Sequence, residues 1–497
     1  MKIKSCCVLL VLLYNISFAH AKIMLPDLKR LTATEAAKLI CERKITSKDL
    51  TEAYLSNIKT YPNLNAFITV TAESALHEAK AYDMRISKGE ACLPLGGVPF
   101  AVKDNTQVAG LPNTGGTPAL RNFVPSTTAP VIRKLQAAGA ILIGKTNMQE
   151  LAYGMTGLNP AYHYPGIIGI RNANDSSRIP GGSSSGSAVA VAAGMATIAT
   201  GSDTGGSVRQ PCALNGCVGF RPTTGRYPRE GIIPISHHRD TPGTMAHSVA
   251  DIALMDQIIT NENQNKPKAA NLIRLGVASY FWEGRDHDVR EKTEQAMKKL
   301  RNAGVVIVPV SMPGVGELVK SVSFPVVVHE GKYDLEKYLR DNHTEISIEE
   351  LAAKIASPDV KKLFDNNILP QRYPDRSGNL VALEPEYKWA LTEGIPRLSS
   401  MTKDVMETNH LDGLIFPTSP IVAPLSNIDS TSMAMFQLMI HNTDFGSNIN
   451  LPGLSIPVGK GSSTKMPVAL EIDGLPGSDV NLLSVGETLE GILNSAQ

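Results

Sequence analysis

The sequence predicts an α/β protein, a sheet buried between helices, and three observations carry that expectation. Val98 to Val102 is an apolar run of strand length that ends on Lys103. Pro130 to Ala138 begins with a proline suited to a first helical turn and is closed by Gly139. The chain then passes into a second apolar run, Ala140 to Ile143. Strands and helices that alternate in this way bury the sheet beneath helices. Composition agrees: 42% apolar and 19% charged residues in 497 supply a large core, unlike a disordered or multispanning chain. The length is great for one core, yet large α/β domains accommodate it as one unit with insertions.

The elements follow in order. Met1 to Lys4 is basic, Cys6 to Phe18 mainly apolar, and Ala19-His20-Ala21 fits a small-x-small cleavage site, so residues 1–21 read as a secretory signal peptide. The apolar run is shorter than a membrane span and contains Asn15. A periplasmic or secreted chain, 22–497, is therefore expected. Thr32, with Glu35 three residues later, signals the first helix, whose apolar face includes Ala36, Leu39 and Ile40. Ser187 to Thr200, rich in Ala, Val and Gly, reads as a tightly packed central helix with Ser183 before it and Ser207 after it. Residues 261–268 are polar and suit a linker. Ala269 to His410 is more charged and more helical, a variable segment suited to completing a substrate pocket. Asp412 onward returns to the core.

The chemistry concentrates in three short segments. Pro180-Gly181-Gly182-Ser183-Ser184-Ser185-Gly186-Ser187 is followed by Asp203-Thr204-Gly205-Gly206-Ser207-Val208-Arg209, and Lys103 lies 80 residues before Ser183. A serine hydroxyl attacks a carbonyl only when a base takes its proton, and the tetrahedral intermediate needs donors aimed at its oxyanion. Thr204, Gly205, Gly206 and Ser207 offer consecutive backbone N–H groups with little obstruction. Lys103, ending a buried strand, would lose its proton more easily than an exposed lysine and so could act as the base.

With Gly139 to Met148, Gly216 to Thr223, Phe416-Pro417-Thr418-Ser419-Pro420 and Pro467 to Leu470 through Pro476-Gly477, these segments resemble the amidase signature family across most of the chain after the leader. The resemblance implies a mixed central sheet covered by helices on both faces and a Ser-cisSer-Lys triad. Ser207 would be the acylated nucleophile, Ser183 the relay with a cis peptide from Gly182, and Lys103 the base. Ser185 stands where many members carry glycine, a change expected to be tolerated. Gly225 to Pro234, Arg239 to Gly243 and Ser323 to Val326 are similar to the indoleacetamide and mandelamide hydrolases of that family. This implies a small aryl or apolar primary amide as substrate, with Tyr153 and Phe324 as candidate pocket walls.

Other readings bound this one. The triad could serve peptide amides, acylamides or esters, and the fold could belong to a catalytically silent exported binding protein. Asp203 and Arg209 suit bracing the turn rather than reacting. Removing Lys2 and Lys4 with the leader takes 48 basic residues to 46 against 47 acidic ones, which gives no electrostatic case for nucleic acid or an anionic membrane. Cys41, Cys92, Cys212 and Cys217 do not make a disulfide scaffold; their pairing is not readable from spacing, and Cys212 and Cys217 read as buried, inert thiols. His237-His238 with Asp240 lacks a metalloprotease spacing, so neither a catalytic metal nor a cofactor is expected.

Overall fold

The computed structural model describes residues 25–374, 379–427 and 431–495. The expected signal peptide lies outside the described residues. Thirteen strands are present among them: β1 (Phe67–Val70), β2 (Pro99–Lys103), β3 (Ile141–Thr146), β4 (Ile198–Asp203), β5 (Val218–Arg221), β6 (Thr241–Ala246), β7 (Arg274–Ala278), β8 (Val306–Val310), β9 (Arg372–Pro374), β10 (Leu380–Ala382), β11 (Gly413–Pro417), β12 (Gly453–Lys460) and β13 (Pro467–Asp473). Eleven form one sheet in the order β1-β3-β2-β4-β6-β5-β12-β13-β11-β7-β8, and β9 and β10 make a separate hairpin.

The sheet is mixed. β2 runs parallel to both β3 and β4, as β7 does to β11 and β8. β4 to β6, β6 to β5, β5 to β12, β12 to β13 and β13 to β11 are antiparallel. Strands β2, β3 and β4 are buried at every position, as strands covered on both faces must be. The expected α/β class with a mixed, helix-covered sheet is what the chain adopts.

The local signals succeed unevenly. Thr32 caps the helix Ala33–Cys41, its hydroxyl accepting the Glu35 N–H at 3.2 Å, and Ala36 and Ile40 are buried. The helix Pro130–Ala137 ends one residue early, and Gly139 turns at φ +95 into β3. The single helix expected over 187–200 is instead two elements. The helix Ser185–Ala192 stops before Gly194, at φ +65, and Ile198–Asp203 becomes β4. Phe100, Ala101 and Val102 pair with Ile198, Ala199 and Thr200. That ladder in the middle of the sheet outweighs the helical tendency of the alanines.

Within 269–410 the helices predominate, led by the long helix Val315–Asp341, but β7 and β8 extend the common sheet. Residues 261–268 are irregular, as their polarity suggests. The four cysteines among the described residues are paired, Cys41 with Cys92 and Cys212 with Cys217. Cys212 and Cys217 are buried, yet they form a bridge across a turn rather than two free thiols. Among the described residues no helix is long and apolar enough to cross a membrane.

Candidate active site

The parallel neighbours β2 and β4 end side by side, and the site is built at their C-terminal edge. Lys103 closes β2, Asp203 closes β4, and the segment Thr204-Gly205-Gly206-Ser207 leads from β4 into the helix Arg209–Asn215. Ser183 enters from the turn before the helix Ser185–Ala192, across the cis Gly182–Ser183 peptide bond. The Gly182 N–H donates to Gln210 Oε1 at 3.0 Å, and the Ser184 N–H donates to the Ser207 carbonyl at 3.2 Å. These bonds tie the two serine-bearing turns together.

Lys103, Ser183 and Ser207 are buried. Lys103 Nζ lies 2.8 Å from Ser183 Oγ and 2.9 Å from Ser202 Oγ, and Asn105 Nδ2 donates to Ser202 Oγ at 3.0 Å. Burial pulls Lys103 down to about 7, against the opposing pull of the Asp203 and Asp240 carboxylates. The amine is therefore available in its neutral form near neutral pH. Among the described residues, Ser207 Oγ makes no hydrogen bond to Ser183. Ser202 and Asn105 are not singled out by the sequence, although Ser202 precedes the Asp203-to-Arg209 segment and Asn105 lies two residues after Lys103.

The turn after β4 is held by its carbonyls. Thr204 O accepts from Arg239 Nε at 3.0 Å, Gly205 O from Thr443 Oγ1 at 2.7 Å, and Gly206 O from the Gln210 N–H at 2.8 Å. With these oxygens turned away, the N–H groups of Thr204, Gly205 and Ser207 are left without an acceptor among the described residues. Gly206 differs from the expected set of four, because its N–H donates to Asp203 Oδ1 at 2.8 Å. Gly206 sits at φ +122, where a Cβ would meet Thr443 Oγ1 at 2.2 Å, so no other residue fits there without displacing the threonine.

Asp203 and Arg209 brace this turn. Asp203 also accepts the Val208 N–H at 3.1 Å and both forks of Arg209, at 3.1 and 3.0 Å, while Arg221 donates to its carbonyl and carboxylate. Burial alone would raise the Asp203 carboxyl, but the Arg209 and Arg221 guanidiniums hold it well below the usual carboxylate range. Arg209 reaches Glu471 at 2.5 Å as well. Burial and the neighbouring Glu471 push the Asp473 carboxyl well above that range.

A cleft of about 340 Å³ reaches the turn through Ser202 and Thr204. Ile232, Ile233, Ile235 and Tyr338 give it apolar walls, and Arg229, His237 and Lys337 are exposed at its edge. Thr204 Oγ1 donates to Asp240 Oδ1 at 2.5 Å, and Asp240 also accepts the N–H groups of Ile235 and Ser236. The cleft wall and the turn after β4 are thereby linked. Tyr153 and Phe324 do not line the cleft. Tyr153 is buried edge-on to Phe364, its hydroxyl lodged where Gly331 lacks a side chain, and Phe324 packs on Tyr373.

The α/β sheet brings Lys103 and Ser183 within hydrogen-bonding distance beside the turn that carries Ser207, an arrangement suited to acyl transfer, and comparison with known proteins gives the class. The sequence profile of the Amidase family matches residues 49–483, and the chain belongs to that family. It is an amidase, an enzyme that hydrolyses amide C–N bonds. It is 50% identical to a mandelamide hydrolase of Pseudomonas putida over 93% of this chain and 91% of that protein. To an indoleacetamide hydrolase of Rhizobium radiobacter it is 37% identical, over 89% and 92% of the two chains. A crystal structure of an amidase superposes with a TM-score of 0.79 at 32% identity, covering 93% of this chain and 99% of the other.

Proposed function

We propose that the chain hydrolyses a small primary amide with an aryl or other apolar acyl group to the carboxylate and ammonia, through an acyl-enzyme on Ser207. The observation that carries this reading is Lys103, a buried amine brought down to about 7 and set 2.8 Å from Ser183 Oγ. The apolar walls of the cleft and the names of the two relatives support the substrate class.

In this mechanism neutral Lys103 takes the Ser183 proton while Ser183 takes that of Ser207, and Ser207 Oγ bonds to the amide carbon. The oxyanion is held by the N–H groups of Thr204, Gly205 and Ser207. The proton returns from Lys103 through Ser183 to the leaving nitrogen, the C–N bond breaks and ammonia departs. Water then gives a proton to the same relay and its oxygen to the acyl carbon, releasing the carboxylate and restoring Ser207.

The chain is also read as exported after loss of residues 1–21. The Cys41–Cys92 and Cys212–Cys217 bridges support an oxidising compartment. Ammonia release from indole-3-acetamide, mandelamide, a C-terminally amidated peptide and an aliphatic amide tests the substrate reading. The two aryl amides should be turned over fastest, and the signal should vanish in Ser207→Ala. A preference for the amidated peptide would replace the substrate class. Turnover unchanged in Ser207→Ala would remove the nucleophile.

A further inference from the structure

The turn between β5 and β6 carries two consecutive histidines, and the long helix Val315–Asp341 presents Glu330 and Asp334 one turn apart on the same face. The fold brings these four side chains together at the edge of the cleft. His237 Nδ1 lies 3.0 Å from Asp334 Oδ2 and 3.6 Å from Glu330 Oε2, and His238 Nδ1 is hydrogen-bonded to Glu330 Oε1. Ligand atoms of His237, His238 and Glu330 all fall within 4.8 Å of one another. The two imidazole rings are 4.4 Å apart.

We propose that His237, His238 and Glu330, with Asp334 holding His237 in place, form a binding site for a divalent transition-metal ion of the zinc class, at the mouth of the substrate cleft. Two imidazole nitrogens and one carboxylate are a donor set that suits zinc, cobalt(II) or nickel, and they leave magnesium and calcium, which take oxygen ligands, poorly served. The outer hydrogen bonds that orient such ligands are present. Ser236 Oγ and the His238 N–H donate to Glu330 Oε2, and Tyr387 Oη donates to Glu330 Oε1 at 3.0 Å. Glu330 is buried while His237 is half exposed, so a rigid anchor faces a side open to an entering ion. Without metal the cluster is held as hydrogen-bonded His–carboxylate pairs. An ion displaces the protons that His238 shares with Glu330 and His237 with Asp334, both of which leave to solvent, and a small rotation of the His238 ring separates it from Glu330.

The ion takes no part in the proposed acyl transfer, and its binding is independent of that reading. His237 lines the cleft, so an ion held by it narrows the entrance. A second cluster, His287, Asp288 and Glu291, also brings ligand atoms together. There a single imidazole stands beside two carboxylates, a poorer donor set for an ion of the zinc class.

Titration of the purified full chain with zinc chloride in a calorimeter, and with cobalt(II) chloride followed by visible absorption, tests the site. One equivalent should bind with micromolar or tighter affinity, and cobalt should show the d–d bands of a site with nitrogen and oxygen ligands. His237→Gln and His238→Gln should each weaken zinc at least tenfold while the unfolding temperature stays near that of the wild type, and His287→Gln should leave binding unchanged. Zinc should lower kcat/KM for an aryl amide in the wild type and have little effect in the double His237→Gln/His238→Gln variant. No saturable binding below millimolar zinc, or equal affinity in the double variant, would overturn the proposal. Binding that leaves kcat/KM unchanged would remove the ion from the cleft mouth.

Discussion

The turn after β4 and the wall of the cleft above it are built on opposite plans. Asp203, Arg209 and Arg221 are fully buried, and each answers a neighbour by at least two hydrogen bonds. At the wall, Lys337 pairs with Asp341 on side chains that are both exposed, and a half-exposed His237 pairs with Asp334. The buried network fixes the direction of a few N–H groups, which is what a developing oxyanion requires. The exposed pair fixes little, since solvent screens it. Thr204 joins the two regions through its hydrogen bond to Asp240.

Substitutions can break this contrast in a graded way. Ser207→Ala should lower amide turnover by about 10⁴-fold or more, as loss of a nucleophile does, with circular dichroism unchanged. Lys103→Ala should lower kcat/KM by roughly 10² to 10⁴. In the wild type kcat/KM should rise with pH through about 7, because only the neutral amine accepts the proton, and a stopped assay across pH should show this limb disappear in the variant.

Smaller effects separate the two regions by stability. Arg209→Ala strips partners from Asp203 and Glu471 in the interior and should cost about 3–5 kcal/mol in denaturant unfolding. Thr204→Val removes one hydrogen bond to a carboxylate, worth about 1.5–3 kcal/mol, and should lower kcat/KM about tenfold while KM for different amides shifts unequally. Lys337→Ala, at an exposed pair, should change stability by less than about 1 kcal/mol. A large loss from Lys337→Ala beside a small one from Arg209→Ala would reverse the contrast.

The same division explains what could be read from the sequence. Lys103, Ser183 and Ser207 stand in short glycine- and serine-rich segments whose composition reflects local backbone needs, so they were visible without the fold. The end of β4 was not. Ile198-Ala199-Thr200-Gly201-Ser202-Asp203 continues an alanine-rich run whose small residues suit a packed helix as well as a central strand, and only its pairing with β2 decides between them. The contact of Ser202 with Lys103 depends on that same strand pairing.

The cleft wall was hidden for another reason. Glu330 meets His238 across 92 positions of chain, and Tyr338 reaches the cleft from the same distant helix. No spacing rule joins such residues. Tyr153 and Phe324 drew attention as aromatics, yet both serve the apolar packing beneath the cleft. Gly206 illustrates a finer limit: its type was legible, but the commitment of its N–H to Asp203 depends on how the turn is folded.

The central claim is that Ser207, activated through Ser183 by a neutral Lys103, is the nucleophile. Peptide mapping of the chain after brief reaction with a fluorophosphonate tests it most directly. The account predicts a single adduct on Ser207, formed faster as pH rises through about 7 and strongly slowed in Lys103→Ala. An adduct on Ser183, or labelling of Ser207 at an equal rate without Lys103, would contradict it.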